Sequence, residues 1–377
     1  MARVPSRKPR SPAPADIASR LVEWFSTAAR DLPWRHTLDP YAVWVSEVML
    51  QQTQVRTVIP YWNRWMHRLP TVADLASAPT PDVLKLWEGL GYYRRARHLQ
   101  AAAQVIMGAP GARLPGDAEG WLALPGVGRY TAGAIASIAF NQPAPILDGN
   151  VARVLSRVLA LPGNPKDRDV AHSLWATATS LVQAARGLSV PESLIHAPHV
   201  RLSGACSALN QSLMELGALV CTPSKPSCVA CPIRDLCRAH ALGRPTAFPG
   251  AVPRPAAVSR ILAAVLWRDG GLWLVRQRAE DDVNGDLWEF PSLACGPGED
   301  PRAVMARWLN VEAEVLAPVG VIRHSITRHR IAQHLFRLEG RPLRSRPPHL
   351  AQWKTTYELD DLPWTAAHRK ALSMARA

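Results

Sequence analysis

The chain has 377 residues, a length that favours two domains over one compact core. Hydrophobic residues make up 47% of the sequence and include 14 tryptophans, which excludes a chain that is disordered throughout. Lysine and arginine outnumber aspartate and glutamate by 44 to 30, and the formal net charge of +14 favours nucleic acid as a partner over an anionic membrane surface. No apolar run approaches the roughly 20 residues that span a bilayer, so a membrane partner is not expected.

The chain begins with a basic segment, residues 1–15, in which three arginines and a lysine stand among prolines. Because no apolar stretch follows these charges, a secretory signal is not expected, and a disordered arm is favoured over a phosphate-binding tail. From residue 16 to residue 240 apolar residues recur at helical spacing. One such stripe contains Val55, Val58, Ile59, Trp62, Trp65 and Met66. The pattern predicts an all-α domain.

A glycine-rich turn lies in the segment 124–133, Leu-Pro-Gly-Val-Gly-Arg-Tyr-Thr-Ala-Gly. The order predicts a helix end, a tight turn and a new helix, and Gly126 and Gly128 permit positive φ and a close approach of backbone amides to a ligand. The N-terminus of the second helix adds a partial positive charge, so that a DNA phosphate can bind there without a lysine. A simple αα-hairpin is the alternative, and the turn alone does not decide between the two.

Four of the six cysteines are crowded into the segment 221–237 with the spacing C-x6-C-x2-C-x5-C: Cys221, Cys228, Cys231 and Cys237. Four thiolates suit zinc or an iron–sulfur cluster, and their crowding indicates a ligand set in a reducing compartment rather than a disulfide framework. Zinc ribbons usually use two C-x2-C pairs, whereas only one is present here. The wider spacing allows four sulfurs to surround a 4Fe-4S cluster. Cys206 and Cys295 stand apart and are interpreted as small buried residues.

Prolines and glycines between residues 241 and 257 predict a linker that continues neither helix nor strand. Beyond it, residues 261–267 and 272–276 predict two strands joined by an Asp-Gly-Gly turn, and a helix is predicted at 301–309. Residues 258–372 are therefore expected to form a smaller α+β domain.

Three further segments carry a family resemblance. They are residues 32–54, which contain Leu-Pro-Trp-Arg and Ser-Glu-Val-Met-Leu-Gln-Gln-Thr-Gln, residues 87–93, Trp-Glu-Gly-Leu-Gly-Tyr-Tyr, and residues 146–153, Ile-Leu-Asp-Gly-Asn-Val-Ala-Arg. Together with the cysteine spacing they resemble the adenine glycosylases of the MutY family over nearly the whole chain. The resemblance implies an all-α helix–hairpin–helix glycosylase domain with a 4Fe-4S cluster loop, followed by a smaller α+β MutT/Nudix-like domain. It also favours a DNA-binding hairpin over a simple one.

The resemblance implies that Glu47 and Asp148 are the catalytic carboxyls, with Asn150 positioning the catalytic groups. Glu47 lies among apolar neighbours, so desolvation is expected to raise its pKa and keep it protonated as an acid. The resemblance implies that this acid donates to N7 of adenine. Asp148 opens a helix whose dipole favours the ionised form, which suits an oxocarbenium-like transition state. Periodicity alone favours a plain N-cap for Asp148 and a surface carboxylate for Glu47, and the resemblance outweighs it.

Tyr130 follows the hairpin at the place where the related endonuclease III family has a lysine that forms a Schiff base. The phenol predicts a monofunctional glycosylase that leaves an intact abasic site, and the resemblance places it against the sugar and Asp148. One alternative is an endonuclease III-like glycosylase and lyase for oxidised pyrimidines, which Tyr130 and the additional domain oppose. Another is a non-catalytic iron–sulfur protein that binds DNA, which Glu47 and Asp148 oppose.

The predicted substrate is double-stranded DNA in which adenine stands opposite 8-oxoguanine or guanine, and the adenine must be flipped out of the stack. The resemblance implies that Gln52 and Tyr92 occupy the stack around the vacated position. The other contacts predicted in the helical domain are Arg35, Leu124, Gly126, Val127 and Gly128. The protein is expected to be a monomer in the cytoplasm, associated with the nucleoid.

The C-terminal domain is expected to recognise 8-oxoguanine rather than to hydrolyse nucleotides. Hydrolases of the MutT type hold magnesium with a glutamate-rich helix, and residues 301–310 contain no such run. The family loop His-x-Phe-Ser-His becomes His-Ser-Ile-Thr-Arg-His at residues 324–329. Thr327 is predicted to replace the serine hydroxyl, and Arg328 or His329 takes the place of the last histidine.

Overall fold

The computed structural model describes residues 12–250, 256–279, 282–341 and 351–376. The predicted arm therefore lies, up to residue 11, outside the described residues, as do residues 251–255 of the predicted linker. The chain divides into two compact units, one made of Met1–Ala76 and Ala101–Pro253 and the other of Ser77–Gln100 and Arg254–Ala377. Residues 77–100, predicted from sequence as part of the helical domain, thus belong to the second unit. None of the described helices is long and apolar enough to span a bilayer.

Up to the linker the described chain is helical, as the apolar stripes predict. Its α-helices are α1 Pro14–Ala28, α2 Pro40–Leu50, α3 Val55–Arg68, α4 Val72–Ser77, α5 Thr80–Trp87, α6 Arg94–Gly108, α7 Ala118–Leu122, α8 Arg129–Phe140, α9 Gly149–Leu159, α10 Arg168–Ala185, α11 Glu192–Ile195, α12 Ala205–Leu219 and α13 Arg238–Ala241. Short 3₁₀ turns lie at Pro33–Arg35, Cys228–Ala230, Arg234–Leu236 and Pro245–Ala247. The last of these turns lies inside the segment 241–257, which was predicted to continue neither helix nor strand.

Helix α2 carries Glu47 and is almost entirely buried. Pro40 occupies its first turn, and the side chain of Asp39 caps it by accepting a hydrogen bond of 3.0 Å from the backbone N–H of Tyr41. Residues 41–49 are all buried, as expected of a helix that is apolar on every side. Trp44 packs against Trp121 of α7, with ring centroids 5.3 Å apart. Any polar side chain on α2 is therefore removed from bulk water.

Two glycines allow close packing around the segment that leads into α9. A Cβ on Gly133 of α8 would lie 2.3 Å from the carbonyl oxygen of Pro145, and a Cβ on Gly217 of α12 would lie 2.6 Å from Cβ of Asn150. Neither position admits a larger side chain without a shift of the backbone. Helices α8 and α12 therefore fix the start of α9, where Asp148 lies.

The second unit contains a mixed β-sheet formed by β1 Val258–Asp269, β2 Leu272–Gln277, β3 Trp288–Glu289, β4 Ser292–Cys295, β5 Ala317–Ile326, β6 His329–Glu339 and β7 Ala351–Thr355. Its main order is β3-β2-β1-β6-β5, with β4 paired to β1 and β7 to β2, and β1 and β6 run parallel. The predicted Asp-Gly-Gly turn joins β1 to β2, and both of its glycines have positive φ, as two-residue hairpins require.

Helices cover both faces of this sheet. They are α14 Pro301–Leu309, α15 Thr356–Asp361 and α16 Ala366–Arg376. One apolar cluster joins Trp267 of the sheet to Met305 of α14, and the other joins Trp273 to Trp364 and α16. The predicted helix at 301–309 is confirmed, and its sequence contains no acidic residue for a magnesium ion. The expected α+β class of this part of the chain is confirmed as well.

Candidate active site

A pocket of about 660 Å³ opens in the first unit among the ends of α2, α8, α9 and α12. This volume lies in the range of small-molecule binding sites. The four residues predicted to be catalytic all line it: Glu47, Tyr130, Asp148 and Asn150. The structure thus brings together side chains that are up to about a hundred residues apart in the sequence.

Glu47 lies in the pocket wall with 5% of its surface exposed. The hydroxyl of Tyr130 donates a hydrogen bond of 2.6 Å to its Oε2 and also lies 3.2 Å from Sδ of Met214. Burial raises the pKa of Glu47 to about 7, with a smaller contribution in the same direction from Asp148, while the hydroxyl of Tyr130 lowers it. The structure thus gives the raised pKa that was expected from the apolar neighbours. Tyr130, expected beside Asp148, shares the pocket with it but is hydrogen-bonded to Glu47.

Asp148 is the N-cap of α9, and its Oδ1 accepts a hydrogen bond of 2.7 Å from the backbone N–H of Val151. Asn150 Nδ2 donates to Oδ2 of the same carboxyl at 3.2 Å. Asn150 is held in turn by Arg153, whose Nη2 donates to Oδ1 at 2.8 Å, and Arg153 Nε donates to the carbonyl of Cys221 at 2.8 Å. The carboxyl of Asp148 is therefore fixed by a short chain of hydrogen bonds that ends at the cysteine segment.

The pKa of Asp148 departs from the expectation drawn from its helix position. Burial raises this pKa above its ordinary value, although the bonds from Val151 and Asn150 lower it. Position at a helix N-terminus is thus only one contribution, and desolvation opposes it. Because the pKa of Glu47 reaches about 7, a proton is readily held on Glu47 at neutral pH.

A buried ion-pair cluster forms another part of the pocket wall, and sequence reasoning missed its central residue, Glu215. Arg30 Nε lies 2.7 Å from Glu215 Oε1, and Arg35 Nη2 lies 3.0 Å from Oε2. Burial alone raises the pKa of Glu215, but the two guanidinium groups outweigh it and hold the value at about 2. Nothing in one sequence pairs residues 180 positions apart. Arg35, predicted to contact DNA, is itself buried, so it can meet only a group that enters the pocket.

The predicted hairpin lies between α7 and α8. Leu124 and Val127 are buried in the turn, and Gly126 has a φ of +72°. Gly128, expected to use positive φ as well, instead is the extended N-cap of α8 with a φ of −92°. A Cβ on Gly128 would meet nothing within 4 Å, so there is open space beside the N-terminus of α8. Both glycines also line the pocket.

Gln52 lies on the pocket lining just after α2 and is exposed. Its φ is +57°, in the left-handed region that residues other than glycine, asparagine and aspartate rarely adopt. The sequence offers no glycine or asparagine there to signal this backbone. An exposed polar residue of the pocket lining thus has a strained backbone conformation.

The four predicted metal ligands line one small cavity together with Arg157, Arg234 and His240. Arg157 Nη1 donates to Sγ of Cys221 at 3.3 Å and to the carbonyl of Thr222 at 2.7 Å. Ile233 is the one buried residue in the fully described segment 221–237. The segment therefore has almost no apolar core of its own. Among the described residues, no three His, Cys, Asp or Glu side chains are grouped tightly enough to bind a single metal ion.

Three residues predicted to contact DNA lie in the second unit. Tyr92 is 49% exposed and has a φ of +49°. Ile326 pairs with His329 across β5 and β6, so Thr327 and Arg328 form the two-residue turn between these strands. Thr327 has a φ of +51°. Of the two candidates for the place of the last histidine, Arg328 therefore lies in the turn beside Thr327, and His329 is the first residue of β6.

The comparisons with known proteins agree with this geometry. Residues 45–179 match the HhH-GPD superfamily of base excision DNA repair proteins, and residues 262–374 match the NUDIX domain. A solved thermostable thymine-DNA glycosylase is 28% identical with a TM-score of 0.51, over 61% of this chain and 97% of that one. The helical fold, the hairpin and the buried carboxyl pocket thus define a helix–hairpin–helix DNA glycosylase with an added Nudix domain.

The chain is also similar over most of its length to adenine DNA glycosylases. That of Mus musculus is 36% identical over 94% of this chain and 77% of the relative, and that of Homo sapiens is 37% identical over 93% of this chain and 72% of the relative. The chain belongs to the adenine DNA glycosylase family. The resemblance inferred from the motifs is confirmed, and with it the predicted class of enzyme.

Proposed function

We propose that the protein removes adenine from duplex DNA at mispairs with 8-oxoguanine or guanine, by hydrolysis of the N-glycosidic bond. The observation that carries the proposal is a pair of carboxyls in one pocket, the buried Glu47 and the partly buried Asp148, with the hydroxyl of Tyr130 bonded to Glu47. Adenine is a poor leaving group, and it departs more easily when a ring nitrogen is protonated. Glu47, with a pKa of about 7, supplies that proton near neutral pH and then assists the attack of water.

Asp148 acts on the sugar side of the same bond. As the bond breaks, the sugar ring develops positive charge, and a nearby carboxylate stabilises it. The bonds from Val151 and Asn150 favour the ionised form of Asp148 and fix its orientation. Glu47, whose pKa is raised to about 7, and Asp148, whose hydrogen bonds favour its ionised form, then divide the roles of acid and anion.

The pocket also supports a monofunctional reaction. A lyase of the endonuclease III type needs a lysine to form a Schiff base, and the described residues that line the pocket include no lysine. A non-catalytic role is opposed by the burial of Glu47, because an ionisable side chain in an apolar helix is costly without a function.

The contacts with DNA are proposed from the exposed parts of both units. The N-cap of α8 is Gly128, which has no side chain to cap the helix, so the first backbone amides of α8 are left to bind a phosphate. Gln52 and Tyr92 enter the base stack, and Thr327 and Arg328, with His329 beside them, contact 8-oxoguanine. One chain supplies all of these groups, and we propose that it acts as a monomer at the nucleoid in the cytoplasm.

We propose that the cysteine segment binds a 4Fe-4S cluster. Its four thiols line one cavity, and a cluster, whose sulfur ligands bind separate irons, suits four cysteines with this sequence spacing. The segment also needs a source of order besides its single buried residue. When bound, the cluster supplies structural stability. Visible absorbance of the purified protein distinguishes it from zinc, which gives none.

The proposed activity is tested with a duplex that contains one adenine opposite 8-oxoguanine. We expect cleavage of the adenine strand only after alkali treatment, because removal of the base leaves the backbone intact. Strand breaks without alkali would identify a lyase instead. A complete lack of cleavage, with binding retained, would identify a DNA-binding protein and contradict the proposal.

Tyr130→Lys is expected to introduce strand nicking. The lysine amine would stand at the start of α8 beside Glu47, where it can attack the sugar carbon from which adenine leaves. Borohydride should then trap a covalent protein–DNA adduct. Tyr130→Phe is the matched control and should give no adduct. If Tyr130→Lys folds, binds the duplex and still gives no adduct, position 130 does not face the sugar.

A further inference from the structure

The loop between α5 and α6 in the second unit has an unusual backbone. Gly89, Gly91 and Tyr92 all have positive φ, of +101°, +71° and +49°. A tyrosine in the left-handed region is strained, and such strain persists only where the surroundings enforce it. The loop nevertheless leaves the ring of Tyr92 half exposed. The surrounding contacts therefore hold an aromatic ring outward against the preference of its own backbone.

Arg95 supports this loop from the first turn of α6. Its guanidinium carbon lies 5.5 Å from the ring centroid of Tyr92 and 5.3 Å from that of Trp87. Its Nη2 donates to the carbonyls of Leu90 and Gly91 at 3.3 and 3.1 Å, and Trp87 Nε1 also donates to Gly91 at 3.1 Å. Burial lowers the pKa of Arg95 to about 10, so it is still charged at neutral pH.

The start of the loop is held by residues from the end of the chain. The carboxylate of Glu88 accepts hydrogen bonds from Nε and Nη2 of Arg369 on α16, at 2.6 and 3.0 Å, and Lys85 Nζ lies 3.2 Å away. The hydroxyl of Tyr93 lies 3.4 Å from the carbonyl of Trp364. A two-point bond between a guanidinium and a carboxylate fixes direction as well as distance.

A second ion pair holds the helix that follows. Arg97 Nη1 lies 2.7 Å from Oδ2 of Asp286 and donates to the carbonyl of Gly285 at 2.8 Å. Tyr92 therefore lies between two ion pairs that each bind its segment to residues of the C-terminal domain. Glu88 and Arg369 are 281 residues apart in the sequence, so no sequence motif predicts the first of these ion pairs.

We propose that Arg369 is a positioning residue for Tyr92: through Glu88 it holds the strained loop in the conformation that presents the ring to the base stack. The C-terminal domain then contributes to reading DNA through the aromatic residue as well as through its own turn at Thr327. The inference rests on the proposed function, since it assumes that Tyr92 enters the stack. Arg369 acts on DNA binding through Glu88 and Tyr92.

Arg369→Met tests the inference in the full-length protein with its cysteine segment intact. Arg376→Met is the matched control, because it removes the same charge from the same helix at a partner, Asp360, outside the loop. The readouts are affinity for an adenine:8-oxoguanine duplex and the fluorescence of 2-aminopurine beside the 8-oxoguanine, which reports entry of a ring into the stack. We expect Arg369→Met to weaken binding about tenfold and to abolish the fluorescence change, because a charge-assisted bond is lost. Arg376→Met should behave as wild type.

Two further variants distinguish positioning from general stability. Arg369→Lys keeps the charge and should recover part of the fluorescence change. In a Tyr92→Ala background, Arg369→Met should add no further loss. A thermal midpoint that falls well below that of Arg376→Met, with no recovery by Arg369→Lys, would show a purely structural role and overturn the inference.

The remaining outcomes separate this inference from the proposed function. If Tyr92→Ala abolishes the fluorescence change but Arg369→Met equals its control, the role of Tyr92 stands and the inference about Arg369 fails. If Tyr92→Ala itself leaves the fluorescence change and the affinity intact, Tyr92 does not enter the stack and that part of the proposed function fails.

Discussion

Replacing Glu47 by glutamine is expected to lower the single-turnover rate of adenine release by about a hundred- to ten-thousand-fold, the range in which general acid–base groups contribute. The amide fills the same space on the buried helix α2 but cannot give up a proton to the departing base. Binding of the mispaired duplex should persist, because the pocket keeps its shape. The measurement is alkali-revealed strand cleavage with enzyme in excess over DNA.

The control for this variant is Glu23→Gln, which makes the same change on an exposed position of α1. It should retain the full rate. An undiminished rate in Glu47→Gln would mean that another group supplies the proton, and the proposed division between Glu47 and Asp148 would have to be given up.

The raised pKa of Glu47 also predicts how activity and stability depend on pH. As the acid, Glu47 must be protonated, so the single-turnover rate should fall as the pH rises through about 7. Folding favours the protonated form, because the pKa rises from 4.5 to about 7; this stability is fully present below pH 4.5 and is lost as the pH rises through 7. Glu47→Gln should remove that loss and be more stable than wild type at pH 9, by on the order of 1–3 kcal/mol. If the free energy of unfolding depended on pH equally in Glu47→Gln and in the wild type, the raised pKa of Glu47 would be contradicted.

Cys231→Ala is expected to have the second largest effect, since it removes one of four proposed ligands from a segment with little other source of order. Visible absorbance and bound iron should be lost, and the segment 221–237 should become sensitive to protease. Loss of a structural metal centre typically removes most of the stability of the region that it holds. Because Arg153 links the carbonyl of Cys221 to Asn150, glycosylase activity should fall as well.

Cys295→Ala is the matched control, as Cys295 lies in β4 of the second unit, outside the cysteine segment. It should retain absorbance, iron and activity. Wild-type absorbance in Cys231→Ala would exclude Cys231 as a ligand. Bound zinc in place of iron in the wild-type protein, without visible absorbance, would exclude the cluster.

Local patterns predicted much of the fold. The stripe in α3, the hairpin at 124–133, the β1–β2 turn and the helix at 301–309 follow from spacing and turn chemistry that involve near neighbours in sequence. The candidate catalytic residues were found through motifs rather than periodicity, since a glutamate on a helix buried on every side gives no periodic signal. The raised pKa of Glu47 was predictable because its neighbours on α2 are themselves apolar.

Long-range pairings were not predictable in the same way. The cluster of Glu215 with Arg30 and Arg35 joins segments 180 to 185 residues apart. The assignment of residues 77–100 to the second unit likewise depends on contacts that only the folded chain shows. Asp148 is an intermediate case, because its helix position was visible in the sequence but its burial, which raises the pKa, was not. Burial of a loop residue depends on packing by distant elements.

Gln52, Tyr92 and Thr327 share a left-handed backbone, with φ between +49° and +57°. Each conformation costs on the order of 1–2 kcal/mol in the free protein. In the proposed complex, a backbone that already has this conformation loses less conformational entropy on binding, which is the benefit of preorganisation. Glycine at these positions would remove the backbone strain in the free protein. It would also make the backbone more flexible, so that more conformational entropy is lost on binding. The strained backbone at these three residues thus lowers the stability of the free protein and reduces the entropy cost of the proposed binding.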